Sequence, residues 1–350
     1  MLAPELLAAM ASGCWAIGAL FSANAAAQMG AFAFTRWRLF FAMCLLWIAA
    51  IYVGRWPELT FESIAWLSVS SWIGILVGDT ALFVCMNRLG PRRSGVLFAT
   101  HSLFSALLAW LFLGETLWGW TLMGSSVLVS GVMVATLWGR REEETHVWEN
   151  TSGMLWFGVA MGLLAAAGQA VAALMLKPLM STGIDAVSAS AVRATASFGA
   201  HLLLLWFGLG LSKLKSPLNW KSLLNTALSA TVSMVIGMTL ILQALKTGQA
   251  NLVAIFSSIA PVLLLPLLWI VYRRKPASGA WWGGAMTVIG SAMIVSAKIK
   301  CPQLNYLASA ALTAADTWPM SALPANWVLT APITLPISPG PEAPKEATMA

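Results

Sequence analysis

Charge is what this sequence of 350 residues has least of: Asp, Glu, Lys and Arg together make up 9% of it, where soluble domains carry about 25%. So few charges cannot cover a water-facing surface, which excludes an ordinary soluble chain. Histidine is scarce as well. The three present, His101, His146 and His201, lie in unrelated segments, which argues against the clustered His and carboxylates that an integral-membrane enzyme needs. Four cysteines, Cys14, Cys44, Cys85 and Cys301, are scattered with no CxxC pair and no matching His spacing. No metal and no cofactor are therefore expected, and the thiols read as packing residues. Nor is there a basic stripe with interleaved aromatics. The formal charge of +7 thus does not point to nucleic acid; the Lys and Arg sit between apolar runs, where they set topology.

What is present is hydrophobic residue, 59% of the chain, arranged in runs of about 20, the length that spans a bilayer as a helix. Ten such runs are expected: Leu6–Ala27, Phe34–Val53, Ile64–Met86, Ser94–Leu113, Trp118–Trp138, Met154–Leu176, Val187–Leu209, Leu223–Leu245, Leu252–Tyr272 and Ala280–Ala297. The Ala25, Ala26, Ala27 triplet imitates a signal-peptide cleavage site, but the first run has no basic flank and is long enough to span, so it is kept as a helix. Sliding the sequence by about 159 residues sets Gly78 on Gly237, Thr80 on Thr239, Leu108 on Leu267, Trp110 on Trp269, Gly124 on Gly283 and Gly131 on Gly290, the self-similarity that marks a duplicated unit. The expected organisation is a five-helix repeat over 5–138, a linker loop over 139–152, a second five-helix repeat over 153–298, and a Pro-, Ala- and Thr-rich disordered tail over 299–350. Five spans is an odd number, so the second repeat enters the membrane inverted. The fold class is an all-α membrane protein of ten transmembrane helices in two inverted repeats, with a site near the midplane between them.

Polar residues inside the spans are the candidates for function, because an ionised group at a helix centre costs at least about 2.5–3.5 kcal/mol in lipid and persists where it meets a cavity or a partner. Asp79 is the one carboxylate well inside a span, and His101 lies on the next helix. Both are expected on a substrate or ion pathway, with Asp79 as the proton site, each weighed against a purely structural role. Asn24, Gln169 and Gln243 are further pathway candidates that also suit interhelical hydrogen bonds. Trp15 and Trp72 are candidates to line the cavity. Arg36 and Arg38 are expected to snorkel to the interface. Pro261 and Pro266 should kink the ninth helix, since each removes a backbone hydrogen bond.

The short turn with Leu89, Gly90 and Arg93, the ending Ala106-Leu-Leu-Ala-Trp-Leu-Phe-Leu-Gly114-Glu115, and the spaced glycines after it resemble the ten-helix EamA-type transporters of the drug/metabolite transporter superfamily. Arg38 matches the family's entry to helix two, and Arg193 the equivalent place in the second half. The resemblance covers about residues 5 to 298. It makes Arg38, Gly114, Glu115, Arg193 and Pro261 structural motif residues. It implies secondary transport, chiefly export, of a small metabolite such as an amino acid across a bacterial inner membrane, with proton coupling and a homodimer both left open. The pattern departs from the family at Ser102, where Pro is usual, at His101, where Glu is frequent, and at Arg273 and Arg274, which replace Gly and Glu. A channel or scaffold is the competing class.

Loops on one side of the ten runs hold roughly thirteen Lys and Arg and those on the other roughly five, so the positive-inside rule places both termini outside. Family members are generally drawn with both termini in the cytoplasm. Both views put the termini on the same side.

Overall fold

The computed structural model describes residues 2–115, 119–138, 155–208, 214, 216–272 and 278–300. Among them every regular element is helical. In chain order these are α1 (Pro4–Met29), α2 (Ala31–Val53), a single 3-10 turn (Trp56–Glu58), α3 (Phe61–Ser71), the π-helical segment π1 (Trp72–Asp79), α4 (Thr80–Ala99), α5 (His101–Leu113) and α6 (Gly119–Trp138). After them come α7 (Leu155–Ser181), α8 (Ala186–Trp206), α9 (Trp220–Ser229), the second π segment π2 (Ala230–Met238), α10 (Thr239–Thr247), α11 (Ala250–Ser257), α12 (Ala260–Tyr272) and α13 (Ser278–Lys300). The expected linker over 139–152, the tail from 301, Cys301, His146, Arg273 and Arg274 lie outside the described residues.

Six stretches are long and apolar enough to cross a membrane alone: Pro4–Ser22, Ala31–Val53, Phe61–Leu89, Arg93–Leu113, Trp156–Ser181 and Trp220–Thr247. The shorter apolar helices Gly119–Val134 and Ala250–Leu264, with α8 and α13, complete ten. The third and fourth spans are antiparallel although helical turns continue between them through Ala99. A side chain at Gly162 of α7 would meet both Cys85 and Leu97, residues that a straight helix would hold about 18 Å apart. The chain therefore doubles back between them, at the basic turn.

Duplication shows in the backbone itself. π1 and π2 fall at equivalent places in the third span of each repeat, and Gly78 and Gly237 stand one residue before their ends alike. The fourth span of each repeat is broken too, at Thr100 in the first and at Ser258–Ile259 in the second. In the second, the break precedes Pro261 and Pro266 stays inside α12.

The inversion is read from α6 and α13, the most extensive helix pair. A Cβ on Gly124 would stand 2.9 Å from the Gly290 carbonyl, and one on Gly131 2.7 Å from the Gly283 carbonyl. Gly124 is equivalent to Gly283 and Gly131 to Gly290, so each residue touches the mate of the other. That reciprocity requires a twofold axis, and the antiparallel register of spanning helices lays the axis in the membrane plane. No larger residue fits this seam, because the two backbones touch.

Nothing in the residue pattern hints at how the repeats interlock. α1 packs on π2, α9, α10, α11 and α12 of the second repeat, while α7 packs on α3, π1, α4 and α5 of the first. Each repeat thus lends its first helix to the other.

Candidate translocation site

A one-residue connection decides where the site lies. Gly30 adopts φ 86°, a positive-φ conformation that glycine tolerates, so α2 begins at Ala31 and Arg38 is seven residues, about 10 Å, along it. On α8, which starts at Ala186, Arg193 is also seven residues along. The two helices pack together from opposite faces of the bilayer, so their arginines converge toward the midplane. This corrects the expectation for Arg38: it does not snorkel. Arg36 is also buried in the bundle.

Arg38 Nη2 donates to Asp79 Oδ2 at 3.3 Å, with side chains 9% and 14% exposed. Its guanidinium also stands 5.1 Å from the centroid of the Phe83 ring, a cation–π arrangement. Asp79 ends π1, a helix type frequent at functional sites. π1 lies against α7 at Gly78, where an added Cβ would touch the Ala165 carbonyl and the Gln169 backbone nitrogen. Arg193 also comes close to π1: a Cβ on Gly74 would collide with Ala172 at 2.7 Å and stand 3.4 Å from Arg193 Nη2 and Gln169 Oε1. Arg193 forms no ion pair or side-chain hydrogen bond with the described residues, and its Nε is buried without a partner. The carboxylate feels both guanidinium groups. Two arginines from equivalent positions thus flank one carboxylate, and Asp79's own equivalent in the second repeat is Met238.

Trp72 opens π1 and donates Nε1–H to the Ala196 carbonyl of α8 at 3.1 Å, while Trp15 of α1 donates to the Ser233 carbonyl of π2 at 3.2 Å. His101 stands elsewhere. Its Nδ1 is 2.9 Å from the Phe98 carbonyl and its Nε2 3.1 Å from Ser257 Oγ, so it bridges the break of one repeat to the break of the other. Gln243 is half-buried on α10. Asn24 is in α1, with its side chain outside the described residues. Glu115 follows Gly114, whose φ of 64° ends α5. Its two carboxylate oxygens accept from the Ala250 and Asn251 N–H groups at 2.9 and 3.0 Å, capping the N-terminus of α11 where negative charge is favoured. At Pro261, the carbonyl of Ser257 four residues earlier has no helical donor, and Ser12 of α1 donates to it at 2.6 Å.

Two polar groups were missed by sequence reasoning. His201 is fully buried, with Nε2 3.3 Å from Thr80 Oγ1, next to Asp79 in the chain. Asn251 is fully buried with neither amide atom partnered. A signal for His201 exists: Ser190, Arg193, Ser197 and His201 recur at three- and four-residue spacing, a polar stripe on one face of α8. Ser197 meets Ser71 across that stripe, and Ser71 Oγ also donates to the Arg193 carbonyl.

An inverted pair of five-helix units with an ionised cluster between them defines a membrane transporter fold. The sequence pattern of the EamA-like transporter family matches residues 2–137 and again 156–296, and the chain belongs to that family. It is 27% identical over 248 residues, 70% of this chain and 72% of the other, to the uncharacterized transporter YetK of Bacillus subtilis (strain 168). It is also similar in fold to a protein of known crystal structure, with a TM-score of 0.67 at 17% identity over 86% of this chain and 98% of that one.

Proposed function

We propose that this multi-pass membrane protein is a secondary transporter that exports a small metabolite, such as an amino acid, across a bacterial cytoplasmic membrane by alternating access. The observation that carries the reading is the buried Arg38–Asp79–Arg193 cluster at the contact of the two repeats. A site between inverted halves can be reached from either face by rocking one part against the other. Asp79 is the proton site in this reading. A carboxylate held between two arginines differs in its hold on a proton whenever rocking moves either guanidinium, which is what coupling to a gradient requires. His101 lines the same path at the crossing of α5 and α11, and Gln169 contributes an amide beside Arg193.

The test is flux in proteoliposomes. A labelled metabolite should enter saturably and exchange against unlabelled metabolite inside. Asp79→Asn should lose proton-driven accumulation and keep exchange, which needs no net proton release. Non-saturable flux would indicate a channel, and normal proton dependence in the variant would remove Asp79 from coupling.

A further inference from the structure

Both arginines of the cluster bury an unpartnered Nε, but only Arg193 lacks an ion pair with a described carboxylate as well. Its guanidinium cannot shed its charge, the residue is only 4% exposed, and none of its N–H groups is bonded to a described residue. Arg38, its equivalent, is held by Asp79. The place that would supply Arg193 with a matching carboxylate by symmetry is occupied by Met238. The cluster of Arg38, Asp79 and Arg193 therefore carries one surplus positive charge inside the membrane, a costly arrangement unless an anion completes it. Arg193 Nη2 and Gln169 Oε1 both border Gly74, each 3.4 Å from where a Cβ on that glycine would stand.

We infer that Arg193 is the subsite for a carboxylate of the transported molecule, so that the substrate class is a small metabolite bearing one carboxylate at the end that enters the cluster. The inference rests on the transporter reading above and narrows it. One carboxylate neutralises the surplus, and its two oxygens match the paired donors of a guanidinium. A dianionic group would overshoot the charge, and a neutral or cationic end would leave Arg193 as it stands. Gln169, whose amide can donate or accept, is placed to bind a second polar atom of the same molecule.

The experiment compares matched ligands on the purified full-length protein in detergent. The probes are the L-amino acids, lactate and pyruvate, each set against its neutral amide, with the shift in thermal unfolding temperature giving affinity. At least one carboxylate should stabilise the protein while its amide does not, and Arg193→Gln should abolish the response. Should that variant not fold, Arg193→Lys keeps the charge but loses the two-pronged fork and should bind the same carboxylate roughly tenfold more weakly. The inference is overturned if no carboxylate in the panel binds, if amides bind equally, or if the Arg193 variants respond like the native protein. Binding needs no flux, so a carboxylate that binds without being transported would count against the transporter reading alone. Saturable transport of an uncharged compound, with no carboxylate bound, would count against the subsite alone.

Discussion

Asp79→Asn is the substitution whose consequence follows most directly from the charges. With Asp79 in place the cluster holds two positive charges and one negative; without it, two buried guanidinium groups are left with no described carboxylate to offset them. Unit charges 3.3 Å apart attract by about 5 kcal/mol at an effective dielectric near 20. Breaking a buried pair from one side costs roughly 3–5 kcal/mol, because the other charge stays behind. Arg38→Gln is a different case. It leaves Asp79 with Arg193, a balanced pair, so its cost should be clearly smaller. The double variant, Asp79→Asn with Arg38→Gln, returns to a single surplus charge and should be more stable than Asp79→Asn alone. Equilibrium unfolding in mixed SDS and mild-detergent micelles measures all four proteins, and the double-mutant cycle isolates the coupling. The charge reasoning is refuted if Asp79→Asn costs no more than Arg38→Gln, or if the two substitutions add within about 0.5 kcal/mol.

Other outcomes are expected from the same unfolding measurement. Ser12→Ala removes the donor to the carbonyls of Phe256 and Ser257 and should cost about 1–2 kcal/mol; on a Pro261→Ala background, where the Ser257 carbonyl regains a helical donor, the same change should cost less. Gly131→Leu drives a side chain into the α13 backbone and should cost about 2–3 kcal/mol or prevent folding, whereas Gly199→Ala, with open space around it, should be neutral or stabilising. Glu115→Gln leaves one acceptor for the two N–H groups of α11 and removes the charge, and a loss of about 1–2 kcal/mol is expected; no loss would show that the helix end does not need the carboxylate.

The spans and their duplication were legible because apolar length and the glycine spacing record them directly. Gly124 and Gly131 with their matches Gly283 and Gly290 marked the repeat, and the same glycines turn out to form the contact of α6 with α13. Partnership was not legible. Periodicity tells which face of a helix is buried but not against what, so the exchange of α1 and α7 between repeats left no trace. The π segments were hidden too, since Trp72–Asp79 carries no residue that disfavours an α-helix more than Gly74 and Gly78 do. Asp79 stood out as an intramembrane charge, but its partner was misplaced at the interface. A six-residue loop was expected between the first two helices, and Gly30 does the work of all six. The break at Thr100 has no proline to signal it; hydroxyls of Thr100 and Ser102 bond back to the Leu97 and Ala99 carbonyls.

The contacts between repeats are not spread evenly across the membrane. Following the spans in alternation from α1 puts Pro4, Glu115, the end of α7, the end of α10 and the start of α11 at one face. There Glu115 caps α11 and Gly248 stands against Pro4, while within the second repeat Lys177 Nζ donates to the Leu245 carbonyl at 3.0 Å. The largest apolar cluster gathers at that same face, with Leu7, Leu176, Leu179, Leu245 and Leu252 in it. The Arg38–Asp79 pair lies deeper in the membrane, about seven residues along α2 from the opposite face. In the alternating-access cycle proposed above, this arrangement would be the state shut at the Glu115 face. Parting the repeats at that face would separate a carboxylate from two N–H groups, a contact that can re-form. Apolar side chains alone would give the same closure with less definite register, because directional bonds fix where two surfaces meet and apolar contact does not. In that proposed cycle the Glu115 contact therefore sets which closed state the repeats return to, and the apolar packing of Leu7 in one cluster with Leu245 and Leu252 adds to its stability.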